Sequence, residues 1–181
     1  MRQYTINDNM ILFWNSCYSQ WFPSEFVDCN GLKFFNAEQF MMYHKAKLFN
    51  DAEIMGKIIN EKNPRTLKEY GRQVDNFVEE IWVAAREEIV ILGNYYKFTQ
   101  NNKILKELMS SLGKELVEAL PVDRIWGIGL SEHDEKCSDK SKWRGLNLLG
   151  KCIMKVREIL KSLDIEYITE LKIKYIENKK W

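Results

Sequence analysis

A carboxylate and an amine stand seven positions apart in the stretch Asn36–Asp51, at Glu38 and Lys45. Seven residues make nearly two helical turns, so a helix would present both on one face. Met41 and Met42 lie between them and would give that face a soft, apolar floor. These are the parts of proton transfer or covalent chemistry. A carboxylate can move a proton or stabilise a developing cation. An amine whose charge is suppressed by a dry surrounding can attack a carbon centre. Each residue also has a purely structural explanation: the helix dipole favours a carboxylate in the first turn, and most helical lysines are solvated.

Other polar groups fall near apolar or glycine-marked segments. Asp123 precedes Trp126-Gly127-Ile128-Gly129, where Gly127 and Gly129 would let backbone approach a ligand closely. The same aspartate reads equally as a turn residue. The Gly127-x-Gly129 pair lacks the third glycine and the following helix of a dinucleotide fingerprint. Asp134 and Asp139 lie in a polar loop, where solvated charge is the default. Asn94, Lys97 and Asn101 read as a polar set after a long helix. The segment Trp143–Asn147 opens a last helix whose free amides would suit a phosphate. Histidine occurs only at 44 and 133, and Cys17, Cys29, Cys137 and Cys152 form no CxxC pair. No metal and no cofactor are expected, and the thiols read as reduced.

The elements that must position these groups follow from periodicity and punctuation. Met10–Trp14 predicts a strand, and Phe26–Phe34 a hairpin with Asn30-Gly31 as a tight two-residue turn. Asn36 predicts a helix cap with Gln39 as its capping-box partner. A second helix is expected over Asp51–Ile59, and a third from Asn63-Pro64 to a break at Gly71. The longest helical pattern runs from Asp75 through Ile81, Trp82, Ala85, Ile89 and Leu92, closed by Gly93-Asn94. Helix Asn102–Ser111, strand Leu116–Leu120 ended by Pro121, a polar loop 131–142, helix Leu148–Leu160 and a charged helical tail complete the chain.

The fold class is therefore α+β, mainly helical, with a few short strands and a helical C-terminal tail. One domain over residues 1–181 is expected, with its core at about 10–160 and an extension at 161–181. Charged residues make up 29% and hydrophobic residues 45%, the balance of a soluble globule, and no apolar run would span a bilayer. A polar start without a secretory pattern points to the cytoplasm. The net charge of +1 excludes a polybasic nucleic-acid binder, leaving only local contacts. Lys172, Lys174, Lys179 and Lys180 in the tail offer such contacts, with a solvated charged helix as the ordinary alternative.

Taken in order, several blocks resemble the NADAR (YbiA-like) family. They are Tyr18-Ser19-Gln20-Trp21-Phe22-Pro23-Ser24; Phe35-Asn36-Ala37-Glu38-Gln39-Phe40-Met41-Met42 with Lys45-Ala46; and Gly93-Asn94-Tyr95-Tyr96-Lys97-Phe98. Next come Leu116-Val117-Glu118-Ala119 with Pro121, Asp123 and Trp126–Leu130, then Trp143–Gly150 with Met154, Val156 and Arg157. Some relatives carry histidine at Gln39 and Ser-Asn-Phe at Ser19-Gln20-Trp21. The first difference leaves no imidazole beside the carboxylate, and the second alters a ligand-contact loop.

The resemblance implies a metal-independent hydrolase of N-glycosidic bonds to ribose. Its leading form removes ADP-ribose from guanine in nucleic acid, reversing DNA ADP-ribosylation. The alternatives are an N-glycosidase that clears reactive riboflavin-biosynthesis intermediates and a module that binds ADP-ribose without cleaving it. ADP-ribose, or guanine carrying it, is then the partner. By the same resemblance Glu38 and Lys45 are catalytic, and Trp82, Asp123 and Trp126 line the pocket. Trp21, Phe22, Met42, Asn94, Gly127, Gly129 and Asn147 complete the expected substrate contacts. Lys45 is expected as nucleophile with Glu38 moving protons. The other mechanism makes Glu38 the base for water, with Lys45 holding a ribose or phosphate oxygen.

Overall fold

The apolar run Met10–Phe13 is wholly buried, as a strand flanked on both edges must be. In the computed structural model, which describes residues 4–6, 9–162 and 165–177, it forms β2. It pairs antiparallel with β1 (Tyr4–Ile6). On its other edge it pairs parallel with the later strand β5 (Glu115–Glu118), in the register Ile11 to Leu116. Helix α6 (Leu148–Ser162) packs on β5 so closely that a Cβ at Gly150 would stand 2.0 Å from the Leu116 carbonyl oxygen. Met10, Leu12, Val117, Ala119, Ile128, Leu130 and Cys137 form a buried cluster, with Trp143 against it. Helix α5 (Asn102–Ser110) is held at its C-terminal end by Arg157, whose Nη1 donates to the carbonyls of Ser111 and Lys114 and to the Ser111 hydroxyl. These elements make one unit, residues 4–22 and 102–162.

The second unit comprises 23–101 and 165–177. It begins with a hairpin of β3 (Phe26–Val27) and β4 (Lys33–Phe34). The expected two-residue turn is instead a three-residue loop. Asp28 N–H donates to the Leu32 carbonyl, Gly31 alone has a positive φ (81°), and the Asp28 carboxylate accepts from the amides of Asn30 and Leu32. The aspartate side chain does the work that a second left-handed residue would have done.

Four helices follow: α1 (Ala37–Leu48), α2 (Ala52–Ile59), α3 (Pro64–Arg72) and α4 (Glu79–Thr99). Asn36 caps α1 as the sequence predicts, and Asp51 and Asn63, expected only as helix starts, also cap: each accepts a hydrogen bond from the first turn that follows it. Gln39 does not close the expected capping box on Asn36 N–H but reaches one residue further back. Its Oε1 accepts from Phe35 N–H, and its Nε2 faces the carbonyls of Ile58, Ile59 and Glu61, tying α1 to the end of α2.

Of the two glycines expected to end helices, Gly71 does so within a residue, since α3 closes at Arg72, whereas Gly93 lies inside its helix. Gly71 sits in the last turn of α3, where a Cβ would be 2.0 Å from Met42 Sδ. Gly93 is in mid-α4, where a Cβ would be 2.6 Å from the Phe40 ring. The Phe40 ring requires Gly93, whereas a side chain at Gly71 would push the Met42 thioether aside. The tail forms α7 (Ile165–Lys172) and a π-helical turn, Ile173–Glu177. It packs on α4 with Ile168, Leu171, Tyr175 and Ile176 buried. Lys174 pairs with Glu88, and Lys172 lies over the rings of Tyr95 and Tyr96. Lys179 and Lys180 fall outside the described residues. Among the described residues no helix is long and apolar enough to cross a membrane.

Candidate functional site

The helix α1 places Glu38 in its first turn and Lys45 in its last. Its N-terminus is fixed by the Asn36 cap and by Gln39, whose amide is saturated by backbone. Gln39 is fully buried. The residue that differs from some relatives is thus a structural tie in this chain. Glu38 is buried.

Lys45 is the best-defined group of the site. Its Nζ donates to the Gly71 carbonyl at 2.6 Å and lies 4.2 Å from the Phe77 ring centre and 5.5 Å from that of Trp82. Burial pushes the amine below its ordinary range; the Glu79 carboxylate opposes this, and the Arg72 guanidinium adds to it. Met42 packs beside Gly71, so the methionine, the glycine carbonyl and the two rings flank the half-buried Lys45, with Phe77 itself exposed. A side chain at Gly71 would displace Met42 from this arrangement.

The helix α4 runs antiparallel to α1, since Phe40 meets Gly93 while Lys45 meets Trp82. Asn94 therefore lies toward the Glu38 end of α1. It is fully buried, within the helix rather than after it, and its Nδ2 donates to the Val90 carbonyl. Lys97 is likewise buried within α4. Glu38, Met42, Lys45, Trp82 and Asn94 thus belong to one helix pair.

The remaining expected residues, Trp21, Phe22, Asp123, Trp126, Gly127, Gly129 and Asn147, belong to the other unit. Trp21 is exposed and Phe22 partly so. Asp123 Oδ1 accepts from the amides of Ile125 and Trp126, an Asx turn that starts the loop. Gly127 and Gly129 lie where a Cβ would press on the backbone of Glu118 and on the side chain of Arg144. Asn147, at φ 53°, accepts from Glu118 N–H and donates to the Leu116 carbonyl. The amides of Arg144 and of residues 146–149 all donate to carbonyls of residues 124–128. The expected free amides for a phosphate are therefore occupied by backbone. Sequence reasoning also missed Phe77 and Gly71, which flank the amine, and Arg86. Only the interruption of an apolar stripe by an arginine marked Arg86 in the sequence.

An α+β, mainly helical domain with a buried carboxylate and a half-buried amine on α1, faced by a tryptophan from α4, is the class these elements define. The family described as the NADAR domain matches residues 12–161, and the chain belongs to it. It is 44% identical over 145 residues to N-glycosidase R617 of Acanthamoeba polyphaga mimivirus, covering 78% of this chain and 85% of that protein. It is 28% identical over 124 residues to N-glycosidase Npun_R5314 of Nostoc punctiforme, covering 67% and 72%. The fold is that of the E. coli protein YbiA, whose NMR structure superposes with a TM-score of 0.71 at 21% identity, covering 91% of this chain and 92% of the other.

Proposed function

We propose that this protein is an N-glycosidase that hydrolyses the bond between a ribose and a nitrogen base, with ADP-ribose on guanine in nucleic acid as the substrate. The observation that carries the reading is the half-buried Lys45 amine, held against Phe77 and Trp82 on the helix that also bears a buried Glu38. The names of the two N-glycosidase relatives support the bond class.

In this mechanism the neutral Lys45 Nζ attacks the anomeric carbon. The bond to the base nitrogen breaks, and Glu38 gives the base the proton it needs to leave. The ribosyl-lysine then opens: the ring oxygen takes a proton and an imine forms between the anomeric carbon and Nζ. Water, deprotonated by Glu38, adds to that carbon and releases ADP-ribose and the free amine. The second mechanism has Glu38 activate water directly while Lys45 holds a substrate oxygen.

Release of ADP-ribose from ADP-ribosylated guanine in single-stranded DNA tests the function. Lys45→Ala and Glu38→Gln should each lower release by about 10²–10⁴-fold. Borohydride added during turnover should leave a ribosyl adduct on Lys45. Release without any adduct selects direct water attack, and full release by both variants removes both residues from the chemistry. Cleavage of a riboflavin-biosynthesis intermediate with no action on ADP-ribosylated guanine would move the assignment to that substrate. Binding of ADP-ribose with neither cleavage would make the protein a reader.

A further inference from the structure

The α1–α4 pair buries three charged side chains, Glu38, Arg86 and Lys97, and the chemistry above uses only Glu38. Arg86 lies one helical turn beyond Trp82 on α4 and is 9% exposed, and its Nε has no partner. Among the described residues its guanidinium enters no hydrogen bond and no ion pair. Arg157, also buried and with its own Nε lacking a hydrogen-bond partner, differs in its outer nitrogens: Nη1 donates to two backbone carbonyls and a hydroxyl. A guanidinium keeps its charge at all ordinary pH values, so burying its Nε without an acceptor is costly. Such a group is retained where something that arrives later supplies the acceptors.

Its position narrows what arrives. Phe40 meets Gly93 and Lys45 meets Trp82, so Arg86 falls at a level of α1 between Glu38 and Lys45. Those two residues are about 10.5 Å apart along the helix. A ribose held between them for reaction would carry its 5′ arm within the same helix pair. We propose that Arg86 is a substrate-binding residue that receives a phosphate ester on the ribose 5′ oxygen, an inference that rests on the ribosyl reading of the site. The planar fork of a guanidinium takes two phosphate oxygens at once, whereas a lysine there offers a single point of charge. The phosphate is either a monophosphate or the first half of a pyrophosphate.

Calorimetric titration of the full chain with ADP-ribose, ribose 5-phosphate and plain ribose tests this without requiring turnover. Arg86→Gln should weaken the phosphate-bearing probes at least tenfold and leave ribose unchanged, with Arg86→Lys in between. A loss for ADP-ribose alone assigns the pyrophosphate; a loss for both assigns a monophosphate site. In phosphate-free buffer Arg86→Gln should melt no lower than the parent, and inorganic phosphate should raise the melting temperature of the parent more than that of the variant. Unchanged binding of both phosphate probes overturns the proposal, as does equal weakening of plain ribose. A Gln variant that melts well below the parent, or fails to fold, also overturns it, because Arg86 would then be a structural group. A protein that cleaves nothing yet shows Arg86-dependent phosphate binding separates this proposal from the catalytic one.

Discussion

The Lys45 amine is set between burial, which favours its neutral form, and two neighbouring charges of opposite effect. Replacing the attractive one, by Glu79→Gln, should move its titration to lower pH; replacing the repulsive one, by Arg72→Gln, should move it higher. The pH dependence of borohydride trapping on Lys45 reads both shifts. His44 illustrates a stronger case. It is enclosed by Phe34, Phe40 and Tyr43, with the Phe40 ring centre 4.2 Å away, and burial first, then the Lys47 charge, brings its pKa to about 3. The folded chain keeps this imidazole neutral, while the unfolded chain protonates it below pH 6.5. Its contribution is therefore whole above pH 6.5 and lost as pH falls toward 3, at about 1.4 kcal/mol per pH unit. His44→Phe should flatten that acid limb in urea titrations at successive pH values; an unchanged limb would refute the assignment. That Glu38 and Lys45 share one helix was legible in the sequence because helical periodicity is a local property. The unpartnered state of Arg86 was not, because only neighbours distant in sequence bury it.

Among the elements, the helix starts were the most readable part. Asn36, Asp51 and Asn63 cap through side-chain bonds to residues two or three positions on, so local chemistry decides them. The end misread at Gly93 failed for the opposite reason. The glycine there answers to Phe40 on another helix, which no window of the sequence displays. Gln39 belongs to the same lesson, since its partners at Ile58, Ile59 and Glu61 lie about twenty residues away. Gln39→Ala would strand these buried carbonyls and the Phe35 amide, at an expected cost of about 2–4 kcal/mol. Gly93→Ala gains helix propensity of about 1 kcal/mol but drives a methyl into the Phe40 ring, for a net loss of about 1–2 kcal/mol. Denaturant midpoints at constant slope would check both values.

At the scale of the whole molecule, α7 and the π-helical turn after it form an integral face of the second unit. His44 is hydrogen-bonded to the Tyr175 backbone, while Lys47 donates to the carbonyls of Tyr175 and Ile176, and Asn30 to that of Ile176. The Tyr175 hydroxyl and Lys174 both donate to Glu88. Burial raises the Glu88 carboxyl, and these two hydrogen bonds outweigh it and hold the group below its usual range. Removing residues 165–181 should uncover the strip of α4 that Ile168, Leu171, Tyr175 and Ile176 cover. The truncated chain should bind a hydrophobic dye and lose cooperative unfolding; a sharp, unshifted transition would contradict this.

The same arrangement sets a schedule for synthesis. A ribosome making this chain delivers the helices of the second unit by residue 101, then builds all of residues 102–162 before supplying the piece that completes that unit. Throughout that interval the waiting face of α4 is exposed to other nascent chains and to chaperones. Codon choice and elongation speed across residues 102–162 would therefore govern the yield of folded protein more strongly than changes made upstream of residue 23.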